Sequence, residues 1–342
     1  MSVSIAEARR LTAQLLEAAG LPADNAAVTA DAVVLADVWG VGSHGLSRLP
    51  FYLERILAGG YPAKAELVTV TDTGPAVTFD GGGGLGHWQL SRAATVAVER
   101  CGSFGIAAVG VGNSGHCGAL GVYTLPALRA GQLCLVFSNG PAVMPPWGGT
   151  EPLLSTSPLA AGIPSRPTPA IVDLASSTVA RGKIAAYAKR GEVLPDGWAF
   201  DGHGRPTRDP REALAGMLAP LGGAKGFALA LLVEAMSGAL VGPALSADVT
   251  DMFRPAEAGT PQRIGHLVIS LNPAIFDVEG GKAAHARFDE LARRIEAAGG
   301  RLPGSRRVMP DEIDPGAALT LPGHLEDELS AWAERLGIPG RH

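Results

Sequence analysis

Cysteine is scarce. Only Cys101, Cys117 and Cys134 occur in 342 residues, with no C-x-x-C pair and no even-numbered framework. Neither a zinc site nor a disulfide scaffold is therefore expected, and a reducing, cytoplasmic setting fits best. Runs of basic charge are absent as well: 28 Lys and Arg stand against 33 Asp and Glu, for a net charge of -5. That balance gives no electrostatic footprint for nucleic acid and no polybasic patch for a membrane surface. No stretch reaches the ~18 uninterrupted apolar residues of a membrane span, and the amino-terminal segment has neither a basic start nor an apolar core like a leader's. The expected partner is a small molecule.

What is abundant is glycine and proline, 46 and 26 residues, spread without a period among apolar segments. They point to tight turns and close backbone approaches within a folded chain. Residues 4–20 read as a helix with Ser4 and Glu7 in capping-box register and Gly20 as its stop. Helices are also expected over 24–42 and 47–59, so that Ser43-His44-Gly45 falls in the break between them. Strand patterns then appear at 67–72, 76–81, 105–111, 132–138, 170–175 and 266–273, with helices near 88–101 and 226–240. Two more helices close the chain at 288–300 and 324–338. The pattern predicts an α+β, mixed α/β fold whose helical ends pack as one layer. On this reading residues 1–75 with 285–342 form a helical unit, and 76–284 form a mixed α/β unit that binds cofactor and substrate.

Gly110, Gly112 and Gly115 stand in the register G-x-G-x-x-G of a dinucleotide-binding turn. That fingerprint also needs an acidic residue about 20 residues on, to hold the ribose hydroxyls. No Asp or Glu occurs between Glu99 and Glu151, and 40-GVGSHG-45 satisfies the same loose pattern. A Rossmann site is not expected. The segment 221-LGGAKG-226 lacks the order of a Walker loop, although a lysine before a helix can still meet a phosphate. A serine hydrolase elbow is excluded too, because His116 takes the place of the second glycine around Ser114 and Val41 that of the first around Ser43.

The chemistry-bearing residues left are Ser43, His44 and Arg48, with His116 in a small-residue turn. A hydroxyl beside His44 can orient its ring, Gly45 lets a ligand approach the backbone, and Arg48 offers a fork to a carboxylate. Imidazole plus guanidinium is what reduction of a 2-oxo acid needs: one group holds the carboxylate, the other protonates oxygen as hydride reaches carbon.

These residues, with 113-NSGHCGALGVY-123, 145-PPWGGTEPLLSTSPLAAGIP-164, 173-DLASSTVARGKI-184, 194-LPDGWAFDGHGRPTRDP-210, 222-GGAKGFALALLVE-234 and 301-RLPGSRR-307, resemble the type 2 malate/L-lactate dehydrogenase family over nearly the whole chain. Its members include sulfolactate, ureidoglycolate and diketogulonate oxidoreductases and Δ1-piperideine-2-carboxylate reductases. The resemblance implies a non-Rossmann nicotinamide-dependent fold, usually a homodimer with sites near the subunit interface. It implies His44 as proton donor with Ser43 as its partner, and Arg48 and Thr156 as substrate contacts. His116 is the second candidate acid, the role its counterpart has in the ureidoglycolate branch. For the cofactor it implies His116, Cys117, Gly118, Ala119 and Leu120, then Asp173, Leu174, Ala175 and Ser176. Lys225 and Gly226 join them, as do Arg301, Pro303, Gly304, Arg306 and Arg307. Four departures matter. Lys183 stands where the piperideine-carboxylate reductases carry an Asp, which favours 2-oxo acids over cyclic imines. Ser157 replaces the usual Asn after the threonine, and Gly140 falls where the ureidoglycolate enzymes have a substrate lysine. Arg306 and Arg307 replace an acidic residue found in NAD-using members, so NADP is expected and NAD is the alternative. The rival readings are reduction of cyclic imino acids, and a non-catalytic binder that kept the scaffold.

Overall fold

The computed structural model describes residues 2–338. The chain opens on strand β1 (Ser2–Ser4) and helix α1 (Ile5–Ala18), with Ser4 as N-cap and the capping box to Glu7 formed. Helices α2 (Ala23–Val38) and α3 (Leu49–Ala58) follow, separated by two short 3-10 turns, Gly42–His44 and Leu46–Arg48. Then come β2 (Val68–Asp72), β3 (Ala76–Asp80), α4 (Gly86–Phe104) and β4 (Ile106–Ser114). Next are α5 (Leu125–Arg129), β5 (Leu133–Ser138), β6 (Leu159–Ile163) and β7 (Ala170–Leu174).

The segment after β7 holds α6 (Arg181–Arg190), β8 (Ala199–Phe200), β9 (Pro206–Thr207), α7 (Pro210–Ala215) and β10 (Met217–Leu218). Helix α8 (Ala224–Glu234) continues through a π-helical turn, Ala235–Ala239, and leads to β11 (Ile264–Leu271). The chain ends in α9 (Lys282–Ala297), β12 (Ala318–Thr320) and α10 (Gly323–Arg335).

Seven strands form one mixed sheet in the order β2-β3-β4-β11-β5-β6-β7, in which β3 and β4 run parallel and the other neighbours antiparallel. Alternation along its central strands sorts side chains to two cores. Val109, Val111, Val136 and Val268 pack on Leu90, Ala93 and Ala97 of α4, while Leu267 and Phe137 pack on Val233 of α8. β1 pairs with β12, and a third core joins Leu15, Val33, Leu53 and Ile56 to Leu325, Leu329 and Trp332. Both ends of the chain thus belong to one helical layer, and the fold class is the mixed α/β one expected.

The glycine fingerprint has a structural explanation. Gly110 and Gly112 lie inside β4, not in a turn, and a 3-10 turn at Leu120–Thr124 stands where a dinucleotide-binding helix would begin. A Cβ at Gly112 would meet the carbonyl oxygen of Gly242 at 2.7 Å, so that glycine serves backbone packing. β6 and α6 carry no clear apolar period and are not among the elements expected from the sequence.

Candidate active site

One cavity of about 390 Å³ lies between the helical layer and the carboxyl-terminal ends of β4 and β5. Ser43, His44 and Arg48 form one wall, His116 to Leu120 a second, and Thr156 with Asp173, Leu174 and Ala175 a third. Residues spread over more than 120 positions in sequence are brought together.

The first wall is built by a carboxylate the sequence reading did not single out. Asp37, near the end of α2, accepts the N–H of Leu46 at 2.7 Å and so pins the loop that carries Ser43 and His44. A Cβ on Gly45 would sit 2.2 Å from that carboxylate. Gly45 is buried and makes room for Asp37, which corrects the expectation that it admits a ligand. Burial raises the Asp37 carboxyl to about 6, against the opposing pull of the Leu46 N–H.

Ser43 Oγ lies 2.9 Å from His44 Nδ1, the ring-orienting contact expected from their adjacency. Arg48 donates from Nε to the Ser43 carbonyl at 2.6 Å, and its guanidinium lies 4.6 Å from the centre of the Phe253 ring. Burial pulls the Arg48 pKa down from its ordinary value. His44 is lowered to about 4, first by burial and then by the charge of Arg48, so it is neutral near pH 7.

His116 is held differently. Its Nδ1 accepts the Gly118 backbone N–H at 3.2 Å and lies 2.8 Å from the buried Tyr52 hydroxyl. A backbone N–H can only donate, so Nδ1 carries no proton and Tyr52 must donate as well. His116 is therefore fixed as the Nε2–H tautomer. Burial, then the neighbouring His44 and His87, hold its pKa well below the usual value. In that form it can donate a hydrogen bond from Nε2, and taking up a proton at Nδ1 would cost it both hydrogen bonds it accepts there. Gln262 sets the position of this loop: its Oε1 accepts the His116 N–H at 3.0 Å and the Tyr61 hydroxyl. The two imidazoles stack with centroids 5.8 Å apart.

On the third wall Ser157 has φ of 42°, a left-handed conformation that Asn tolerates better than Ser. Here the Ser155 hydroxyl compensates by accepting the Ser157 N–H at 2.9 Å, which leaves Thr156 facing the cavity. Ser176 is buried behind this wall, where its N–H and hydroxyl both bond the Thr156 carbonyl at 2.9 Å.

At the far rim, Arg307 meets Asp173 at 3.4 Å and stacks on Trp39, and Asp173 also accepts the Gly121 N–H at 3.1 Å. Nη1 of Arg307 is buried without a partner. An unmet cationic donor beside a carboxylate fits a phosphate- and ribose-bearing cofactor.

The other expected cofactor residues lie outside the cavity lining. The 301–307 segment runs beside β7, where Pro303 accepts the Ile171 N–H at 2.9 Å and Gly304 packs on Ile171. Arg301 and Arg306 are exposed, so only Arg307 of the arginine pair reaches the site. Lys225 is exposed in the first turn of α8 and Gly226 is buried against Leu221. Lys183 lies over the Trp198 ring at 4.9 Å, also off the cavity. Among the described residues no group of His, Cys, Asp and Glu is placed to hold a metal ion.

The chain matches the model of the malate/L-lactate dehydrogenase family over residues 3–339. It belongs to that family. A (2R)-3-sulfolactate dehydrogenase (NADP(+)) from Chromohalobacter salexigens is 39% identical over 97% of this chain and 98% of the relative. A Δ1-pyrroline-2-carboxylate reductase from Ancylobacter novellus is 34% identical over 97% of this chain and 98% of its own. Among solved structures, the sulfolactate dehydrogenase of Methanocaldococcus jannaschii superposes with a TM-score of 0.87 at 29% identity, covering 99% and 98% of the two chains. As a member of the malate/L-lactate dehydrogenase family, the protein is a nicotinamide-dependent oxidoreductase of the 2-hydroxy acid class, and the non-catalytic reading falls away.

Proposed function

We propose that the chain interconverts a small 2-oxo carboxylate and its 2-hydroxy acid using NADP, with Arg48 holding the carboxylate and His44 carrying the proton. The observation that carries this reading is the meeting of His44 and Arg48 at one cavity while His116 is tied at Nδ1 by two donors. When bound, the nicotinamide supplies or takes up hydride at the substrate's C2. Arg48 uses Nε on Ser43, which leaves its two Nη groups to fork onto a carboxylate. That anion offsets the positive charge that depresses His44, so the imidazole gains basicity when substrate is present. His44, oriented by Ser43, then gives its proton to the nascent alkoxide or takes it back in the reverse direction. His116 Nε2–H and Thr156 supply hydrogen bonds that orient the oxygen.

Asp173 and Arg307 would hold the cofactor, with the Cys117–Leu120 turn as its close-packed floor. The unmet Arg307 nitrogen supports NADP, as does the cofactor named for the Chromohalobacter relative. Reduction of cyclic imino acids remains the second reading because a Δ1-piperideine-2-carboxylate reductase from Pseudomonas syringae pvar. tomato shares the fold at a TM-score of 0.88. Lys183, which the sequence reading weighed against it, lies over Trp198 and off the cavity, so that position does not decide between the two.

The three cysteines are buried and unpaired, which fits a cytoplasmic setting. For the oligomer, α8 presents Leu231 and Leu232, about half exposed, with Leu240 70% exposed beyond the π-turn. Such a stripe on a helix that also packs on the sheet fits a contact between two copies.

Assays of pyruvate, oxaloacetate, sulfopyruvate and the two cyclic imines with NADPH and NADH test the reading. The expected result is NADPH oxidation with a 2-oxo acid. Turnover confined to the imines would transfer the function to the second reading, and no turnover with any of the five would sink both.

A further inference from the structure

A fully buried guanidinium lies behind the loop that closes the cavity, and the mechanism does not use it. Arg55 of α3 is 1% exposed and pairs with no carboxylate among the described residues. Its charge is met by carbonyl oxygens instead: Nη1 donates to Glu257 at 3.1 Å, Nη2 donates to Thr260, and the Tyr61 ring lies 4.9 Å away. Both carbonyls belong to the loop 250–262, whose ends are tied by Gln262 Nε2 donating to the Thr250 carbonyl at 3.0 Å. Between 251 and 261 only Met252 and Ala258 are buried, so little apolar packing holds this loop in place. Helix α3 holds it along one face. The Arg48 guanidinium lies on the Phe253 ring, Phe51 meets the same ring edge-on at 5.2 Å, and Arg55 follows one turn further on. Gly60 completes the contact, since a Cβ there would strike the Ala258 carbonyl oxygen at 2.0 Å.

The loop carries two supports of the site. Phe253 backs Arg48, and Gln262 Oε1 accepts both the His116 N–H and the Tyr61 hydroxyl. A buried guanidinium without a counterion costs more than an apolar side chain of similar size, so stability alone does not account for Arg55. We propose that Arg55 is a positioning residue: it clamps the 250–262 loop against α3 and so sets Arg48, through Phe253, and His116, through Gln262, at once. Because it grips main-chain carbonyls, the clamp does not depend on the side chains of the loop. This inference rests on the proposed function in taking Arg48 and His116 as substrate contacts.

Two variants loosen the clamp from opposite sides. Arg55→Met removes the donors and keeps the stem, while Gly60→Ala displaces the Ala258 carbonyl with the charge intact and keeps the test open should Arg55→Met fail to fold. Hydrogen exchange read by mass spectrometry should be faster across 250–262 in both, with α1, α2 and the central sheet as slow as in the wild type. Arg55→Lys, which keeps the charge without the fork, should be intermediate. With whichever of the five assay compounds the wild type turns over, kcat/KM should fall roughly 10- to 100-fold, with kcat lowered and the KM of the carboxylate raised. Affinity for NADPH, whose proposed holders Asp173 and Arg307 lie at the far rim, should be unchanged. Unchanged exchange in the loop overturns the proposal, and so does exchange raised equally throughout the helical layer, which would make Arg55 a general support of the fold. A loosened loop with unaltered kcat and KM contradicts the positioning role. If the wild type turns over none of the five, the proposed function fails, and calorimetric titration of malate into the NADP complex decides instead. Malate affinity should then fall about tenfold in both variants, and equal affinity would overturn the inference.

Discussion

The role proposed for His44 depends on what surrounds an otherwise ordinary side chain. Its ring is desolvated and faces Arg48, and both effects lower its pKa, to about 4. The sign for catalysis follows directly. Reduction needs the protonated imidazole, which is the minor form throughout the neutral range, whereas oxidation needs the neutral form already present. Accordingly kcat/KM for reduction should fall about tenfold per pH unit from about pH 6 to about pH 8, while kcat/KM for oxidation stays flat there. Initial rates in both directions across that range check it. A reduction rate independent of pH would place the proton elsewhere. The residues that create this environment were only partly legible. Ser43, His44 and Arg48 sit within six positions of one another, so their cooperation could be read locally. Tyr52 and Gln262 act on His116 from 64 and 146 residues away, and no local spacing announces such contacts. Asp37 left a trace in Gly45, but the glycine was read as room for a ligand and not for a carboxylate.

At the scale of elements, pattern reading worked where chemistry is local and periodic. The Ser4–Glu7 capping box, the apolar period of α1 and the strand-like run of β11 all appear in the fold as read. It worked less well at β6, where LAAGI offers little contrast between faces, and at the 301–307 segment, whose conformation follows the edge of β7. Helix α8 is the element whose pattern exceeds what the fold uses. Its inward side packs Val233 on the sheet, yet Leu231 and Leu232 lie in solvent. If that stripe is the contact between two copies, replacing both leucines with Asp removes apolar burial of about 1.5–3 kcal/mol per side chain and adds repulsion. Sedimentation of that double variant should show monomers under conditions where the wild type is dimeric, with a folded far-ultraviolet spectrum retained. A dimer of unchanged strength would move the interface to another face.

The whole molecule is a support for one cavity. The helical layer formed by both chain ends supplies Asp37, His44, Arg48 and Tyr52, the sheet supplies the His116 turn and Asp173, and the 251–262 loop closes the space with Phe253 and Gln262. Membership of the malate/L-lactate dehydrogenase family sets the class of chemistry, and the proposed function gives the proton to one of two stacked imidazoles. Parallel kinetics of His44→Gln and His116→Gln, with the affinity for NADPH measured in each, test that assignment most directly. The account predicts that His44→Gln loses roughly 100- to 10,000-fold in kcat with cofactor affinity nearly unchanged, while His116→Gln, which removes only a hydrogen-bond donor, loses about tenfold. The reverse order, with His44→Gln active and His116→Gln inert, would contradict it.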